Sequence, residues 1–130
     1  MQPPEIFHRA ARRLRRDRIA ARFGESDFLR HFMIEGLSER LDAVTREFAD
    51  VLDLGCFDAG LALPGTRIVR ADPGFAFARA AGGVQCDEDR LPFADDSFDL
   101  IVSAGTLDQV NDLPGALTLI RRALRPDGLF

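Results

Sequence analysis

Two aspartates stand where a nucleoside-binding site needs carboxylates. Asp72 and Asp87 each end a short apolar run. A carboxylate at the first position can accept hydrogen bonds from both hydroxyls of a ribose, and one at the second can accept from the exocyclic amine of a purine. Leu91 and Phe93 follow as apolar residues that could flank the base. Each acid alone could equally be a helix N-cap or a turn former, so the prediction of a nucleoside site depends on their order.

A glycine loop precedes both acids. The apolar run Val51–Leu54 ends at Gly55, and a loop continues to Gly60. An apolar run bounded by turn residues is typical of a buried strand, and glycine lets the backbone come close to a ligand. Because ligands of open parallel sheets bind beyond the carboxyl ends of the strands, we expect this loop to belong to the site.

The elements that position these residues alternate between strands and helices. Alternation of this kind predicts an α/β fold with a parallel sheet and right-handed crossovers. The central strands of such a sheet need neighbours on both sides, and we expect the chain to be truncated where its fifth strand begins. The predicted strands are Val51–Leu54, Arg67–Ala71, Gly83–Cys86 and Phe98–Ser103, with a helix at Leu113–Leu124 and a fifth strand from Leu129.

Two helices are predicted before the first strand, over residues 5–22 and from about 28 to 48, with a break at Gly24. This pattern predicts that the chain divides into an N-terminal helical segment, 1–48, and a partial cofactor-binding domain, 49–130. The second helix carries an apolar stripe that we expect to pack in the core. Its members are Phe28, Phe32, Ile34, Leu37, Leu41, Val44 and Phe48.

Composition excludes several classes of protein. The chain has 130 residues and a net charge of −4, which argues against a general nucleic-acid binder. No apolar run is long enough to span a membrane, and the N-terminus lacks the apolar core of a signal peptide. Cys56 and Cys86 should follow two strands separated by a third, too far apart for a disulfide. A cytoplasmic protein without a metal site is the prediction.

Arginines crowd the stretch from Arg9 to Arg22. One interpretation is a helix face whose arginines lie over neighbouring acids. A second is a docking surface for an acidic partner. A third is a cleaved organelle-targeting peptide, against which Glu5 and Asp17 count because such peptides are poor in acids.

Several motifs together resemble the class I S-adenosylmethionine-dependent methyltransferases of the type 11-like group. Within that family the chain is most similar to the subgroup that contains the mitochondrial complex I assembly factor with arginine-hydroxylase activity and its bacterial relatives. The resemblance implies a Rossmann-like fold. The motifs are Val51-Leu52-Asp53-Leu54-Gly55-Cys56, Asp72, Asp87 through Leu91-Pro92-Phe93, Ser97–Val102, Val110–Leu117 and Leu119–Gly128.

The resemblance also implies S-adenosylmethionine as cofactor and assigns residues to it. Asp53 and Gly55 would lie at its methionine end, Asp72 would hold the ribose, and Asp87 would hold the adenine amine beside the Glu88 backbone. Ser103 and Ala104 would face the methionine moiety and the methyl acceptor, a small molecule or a protein. Cys56, Phe57 and Pro73 complete the expected cofactor contacts. No catalytic residue is assigned, since methyl transfer needs mainly positioning and desolvation.

Three departures from the family pattern support an alternative function. Phe57 places a large ring in the glycine loop, and the segment after Gly60 is too short for the usual first helix. Asp108-Gln109 also stand where the subgroup has His-Trp. The alternative is a non-catalytic or weakly cofactor-binding relative that acts in assembly or interaction. A dehydrogenase-like NAD binder is a further possibility, since Asp72 would also suit NAD.

Overall fold

A computed structural model describes residues 4–130 and contains one five-stranded sheet, all of whose pairs are parallel. The strands lie in the order β3-β2-β1-β4-β5. This arrangement confirms the predicted Rossmann-like α/β fold. The strands are β1 (Asp50–Leu54), β2 (Arg67–Asp72), β3 (Val84–Gln85), β4 (Phe98–Ser103) and β5 (Leu124–Leu129).

Four α-helices flank the sheet, and two single-turn 3₁₀ helices lie at Phe23–Glu25 and Leu107–Gln109. The ends of two helices are capped by side chains: His8 Nδ1 accepts from the amide of Ala11, and Asp112 accepts from the amide of Gly115. No helix of the described residues 4–130 is long and apolar enough to cross a membrane. The α-helices are α1 (Arg9–Ala20), α2 (Phe28–Asp42), α3 (Phe75–Ala80) and α4 (Leu113–Ala123).

The core lies on both faces of the sheet because alternate residues of a strand point to opposite faces. Leu52 and Leu54 of β1 pack with Ile120 of α4 on one face. Val51 of β1 packs with Ile34 of α2 on the other. Central strands of a parallel sheet are covered on both faces, and this explains why β1 is buried along nearly its whole length.

The structure corrects the predicted start of the fifth strand and adds a helix. The fifth strand begins at Leu124, directly after α4, and not at Leu129. Phe98 of β4 pairs with Leu124, whereas Leu100 pairs with Leu129, so the intervening residues of β5 bulge out of register. The sequence analysis also missed α3, a short helix without a side-chain N-cap.

The expectation that the whole apolar stripe of the second helix packs in the core is wrong. Ile34 is buried and Leu37 packs against it, but Phe28 and Phe32 are 81% and 65% exposed. A helix repeats every 3.6 residues, and this spacing places the two phenylalanines on the side opposite Ile34. The helix also ends at Asp42 and does not reach residue 48.

Candidate functional site

The carboxyl ends of four strands meet at one edge of the sheet. Leu54, the last residue of β1, pairs with Ala71 of β2 and with Ser103, the last residue of β4. Asp72 at the end of β2 pairs with Gln85 of β3. The residues assigned to a cofactor therefore lie along this edge, in or directly after the strands that carry them.

Backbone hydrogen bonds and positive φ angles fix the glycine loop after β1. Gly55 has a φ of 77°, and a Cβ on it would lie 2.2 Å from Cγ2 of Thr106, so no other residue fits there. The amides of Gly55 and Cys56 both donate to the carbonyl of Ala71. Phe57 also has a positive φ, 46°, a conformation that is uncommon for a bulky residue.

Asp72 explains the conformation of Phe57 and is the centre of the site. Its side chain is fully buried. Oδ2 accepts from the amide of Phe57 (3.0 Å) and Oδ1 from the amide of Gly74 (2.8 Å). Arg16 of α1 donates to both oxygens, from Nε to Oδ1 at 2.8 Å and from Nη2 to Oδ2. The predicted ribose carboxylate is thus held in a two-pronged ion pair with the N-terminal helix.

The acids after β3 have the same kind of partner. Glu88 is fully buried, and both of its oxygens accept from Arg12, at 2.8 and 2.9 Å. Arg13 donates to Asp87 Oδ2 at 2.7 Å. Burial has the largest single effect and would lower the pKa of Arg12, but the hydrogen bonds and charge of Glu88, with the charges of Asp87 and Asp72, together outweigh burial and raise the pKa. The base end of the predicted site therefore also faces α1.

The predicted methionine end also holds a buried arginine. Arg30 of α2 is 3% exposed and donates to the carbonyls of Cys56 (3.0 Å) and Ala104 (3.3 Å). Asp53, fully buried, pairs with Arg70 at 2.8 Å. Burial raises the pKa of Asp53, although Arg30 and Arg70 oppose the shift. Asp53 Oδ1 is buried without a hydrogen-bond partner, and the nearest guanidinium nitrogen of Arg30 is 3.6 Å away.

An aromatic cluster covers the loop. The Phe57 ring stacks on Phe23 with centroids 5.1 Å apart and meets the edge of Phe77 at 5.4 Å. The guanidinium of Arg16 lies 4.0 Å from the centroid of the Phe57 ring, within the range of a cation–π contact. The same arginine therefore contacts both the carboxylate and the loop.

The remaining predicted site residues lie nearby but contribute less. Pro73 is buried, and its carbonyl accepts from Gln85. Ser103 Oγ is 3.0 Å from Thr106 Oγ1, and Ala104 is buried.

A cavity of about 400 Å³ runs between α2 and β4, and a second of about 310 Å³ borders Ser103 and Ala104.

Leu91 and Phe93, the predicted flanks for a base, contribute to core packing. Both pack against the core cluster under α4, and the Phe93 ring meets the edge of Phe98 at 5.2 Å. Asp108, which stands where the subgroup has histidine, is exposed in a 3₁₀ turn. His31 is exposed between Asp27 and Asp58.

The two cysteines are free and buried. Burial is the main cause that raises the pKa of Cys56 and of Cys86 to about 12. Since only the thiolate is strongly nucleophilic, neither cysteine can act as a nucleophile near neutral pH.

Sequence reasoning did not find the arginines of α1 and α2 as partners of the site. Their spacing carried a signal: Arg9, Arg12, Arg13 and Arg16 lie three or four residues apart, on one helix face. The run Asp87-Glu88-Asp89 is the matching acidic cluster. The interpretation that these arginines lie over neighbouring acids agrees with the structure, but those acids are the ones assigned to the cofactor.

The carboxylate of Asp72 has no acceptor position left for a ribose diol. A carboxylate offers about four acceptor positions, and Asp72 uses all four on Arg16, Phe57 and Gly74. A ribose diol could bind Asp72 only after Arg16 has left. The residue types and their order suit a nucleoside. The present contacts of Asp72 with Arg16, Phe57 and Gly74 exclude its ribose.

The strand order, the glycine loop after β1 and the carboxylates after β2 and β3 define a Rossmann-like α/β protein whose ligand edge is the carboxyl end of the sheet. Comparison with known families refines this class. The chain belongs to the methyltransferase domain family, whose profile matches residues 52–130.

The chain is also similar to individual proteins and solved structures. The mitochondrial arginine-hydroxylase NDUFAF5 of Danio rerio is 32% identical over 99% of this chain, which spans 44% of that relative. A Haloferax volcanii complex of the Trm112 methyltransferase activator with a protein assigned as a methyltransferase matches with a TM-score of 0.72 and 26% identity, over 87% of this chain and 57% of the other. An S-adenosylmethionine-dependent methyltransferase of Thermotoga maritima has the same fold, with a TM-score of 0.68, 22% identity and the same coverage.

Proposed function

We propose that the chain is the cofactor-binding part of an S-adenosylmethionine-dependent methyltransferase that acts on a small-molecule or protein acceptor. The observation that carries the proposal is the placement of Asp72 and Asp87 at adjacent strand ends, next to the glycine loop of β1. Family membership supports it. The proposal requires an open state in which Arg16 has released Asp72.

The residues assigned to the cofactor are part of the proposal. Asp72 would hold the ribose diol, and Asp87 and Glu88 would hold the adenine end. Arg30, which donates to the carbonyl of Cys56, would lie next to a charged group of the methionine end. The cavity beside Ser103 and Ala104 is the candidate acceptor pocket. The remaining members are Asp53, Gly55, Cys56, Phe57 and Pro73.

Titration calorimetry with S-adenosylhomocysteine tests the proposal. We expect binding to the wild type and to Asp95→Asn, a control in an exposed turn, and a loss of at least tenfold in affinity for Asp72→Asn because a charge-assisted acceptor is lost. Absence of both heat and a thermal shift at millimolar ligand, in the wild type and in Arg16→Gln, would refute cofactor binding.

A second candidate is a methyltransferase-like protein that binds cofactor weakly and acts in assembly or interaction. The observation that favours it is the complete use of the Asp72 oxygens by the protein itself. NDUFAF5 is named for arginine hydroxylation, so relatives of this chain are not confined to methyl transfer. An acidic partner would meet Arg15 and Arg18, the arginines that α1 leaves exposed. Calorimetry separates the two candidates, since only the first predicts binding below millimolar ligand.

Two further predictions stay untested. One is the cytoplasmic location. The other is the division of the chain into a helical segment, 1–48, and a cofactor-binding domain, 49–130.

A further inference from the structure

We propose that α1 is a displaceable lid, closed over the nucleoside site by its own arginines, and that it must release before a nucleoside binds. The inference rests on the proposed function, because that function supplies the ligand. It adds that the closed and the ligand-bound arrangements exclude one another at Asp72 and compete at Asp87.

The competition is clearest at Asp72. Arg16 takes one acceptor position on each oxygen, and backbone amides take the others. The amides belong to the loop and to the turn after β2, which are part of the sheet edge. Arg16 is therefore the one partner of Asp72 that can leave without moving a strand.

The attachment of α1 is mainly ionic. Its buried residues are Arg12 and Arg16, while its large apolar residues Leu14 and Ile19 are 58% and 47% exposed. Neither core cluster of the described residues 4–130 includes a residue of α1.

The next helix is attached differently. Met33, Ile34 and Leu37 of α2 all belong to or pack against the core cluster on that face of the sheet. Release of α1 therefore leaves the apolar core intact, whereas release of α2 would break it.

Ionic attachment makes release inexpensive. The attraction within a buried ion pair is largely offset by the cost of removing both charges from water. When α1 leaves, the guanidinium groups and the carboxylates regain water together. Elements with few buried apolar contacts open at a free energy below that of global unfolding.

Release of α1 would bend the segment between the two helices. Residues 21–27 form a 3₁₀ turn and its flanks, and a side chain at Gly24 would meet nothing within 4 Å. Besides the ion pairs, hydrogen bonds from backbone amides hold α1 and the residues before it: Asn111 Oδ1 accepts from the amides of Ile6 and Phe7, and the carboxylate of Asp17 accepts from the amide of Ala76.

Hydrogen exchange on the free protein tests the lid without any ligand. We expect amides of α1 to exchange faster than those of β1 and β4, and Arg16→Gln to speed exchange in α1 alone. Arg15→Gln is the matched control, since Arg15 is exposed and has no ion pair within residues 4–130. Arg13→Gln, at a side chain that is 39% exposed, is a milder variant if Arg16→Gln does not fold. Equal rates in α1 and β4, raised together by the substitutions, would overturn the lid.

Calorimetry with S-adenosylhomocysteine then tests the gate. The apparent affinity equals the intrinsic affinity multiplied by the open fraction, so Arg16→Gln should bind about tenfold more tightly than Arg15→Gln. Ligand should also speed exchange in α1 of the wild type. Tighter binding by Arg15→Gln than by Arg16→Gln, with α1 protected by ligand, would make Arg16 a ligand contact and overturn the gate. A lid that opens in Arg16→Gln without any binding would instead refute the proposed function.

Discussion

Replacement of Asp72 by asparagine isolates the charge at the centre of the site. The two side chains have nearly the same shape, so the substitution creates no cavity. The asparagine amide nitrogen must face two donors in either orientation: Arg16 Nε and the Gly74 amide, or Arg16 Nη2 and the Phe57 amide. The variant therefore leaves a guanidinium without a counter-charge and a backbone donor without an acceptor.

The expected loss of stability follows from those contacts. Removal of one partner from a buried ion pair costs about 3–5 kcal/mol. Because α1 can carry Arg16 into water, we expect the lower end, a loss of about 3 kcal/mol in the free energy of unfolding. At about 4 °C for each kcal/mol in a domain of this size, Tm should fall by about 12 °C.

Far-ultraviolet circular dichroism is the suitable assay, because the chain contains neither tryptophan nor tyrosine. Urea and thermal unfolding of Asp72→Asn are compared with Asp95→Asn, which should change stability by less than about 0.5 kcal/mol. Arg16→Gln added to Asp72→Asn should recover part of the loss, since it removes the unpaired charge. A loss below about 1 kcal/mol with two-state unfolding would refute the assignment of Asp72 as the anchor of α1.

Three other predictions concern groups around the site. Burial raises the pKa of Cys56 and Cys86 to about 12, so a thiol reagent at mildly alkaline pH should label them only after urea unfolding; rapid labelling of the folded protein would contradict their burial. Burial has the largest single effect and would raise the pKa of Asp89, but the hydrogen bond and charge of Arg9, with two backbone hydrogen bonds, together outweigh burial and lower the pKa from 3.8. The stability from Asp89 is therefore present above that value and lost as the pH falls through the folded pKa, and Asp89→Asn should lose less stability on acidification than the wild type. Phe57 has a positive φ, so Phe57→Gly should be about 1 kcal/mol more stable than Phe57→Ala in urea unfolding, because glycine relieves the backbone strain; the opposite order would place the strain elsewhere.

The central strands were predictable because a short apolar run in the sequence indicates a buried strand. The predicted strand Phe98–Ser103 agrees with β4, and Val51–Leu54 misses one residue of β1. Both runs are apolar and bounded by turn residues. β5 was not predictable in the same way, because Pro126-Asp127-Gly128 reads as a stop although those residues form a bulge inside the strand.

The edge of the sheet that carries the site was also predictable, but the partners of its residues were not. Asp72 is the last residue of β2, and Asp87 lies two residues after β3. Their pairing with Arg16 and Arg13 joins residues more than fifty positions apart, and no local pattern encodes which face of α1 turns toward the sheet. Phe28 and Phe32 show the converse error, since apolar type alone did not indicate which side of α2 is covered.

The shared use of Asp72 by Arg16 and by a ribose diol has a thermodynamic consequence. Two events that favour the same open state strengthen one another by an equal factor. An acidic molecule that binds the released arginines would raise the affinity for the nucleoside, and the nucleoside would raise the affinity for that molecule to the same degree. Binding at the basic face of α1 and binding in the nucleoside pocket are thus reciprocally coupled, although the two ligands contact different atoms of the protein.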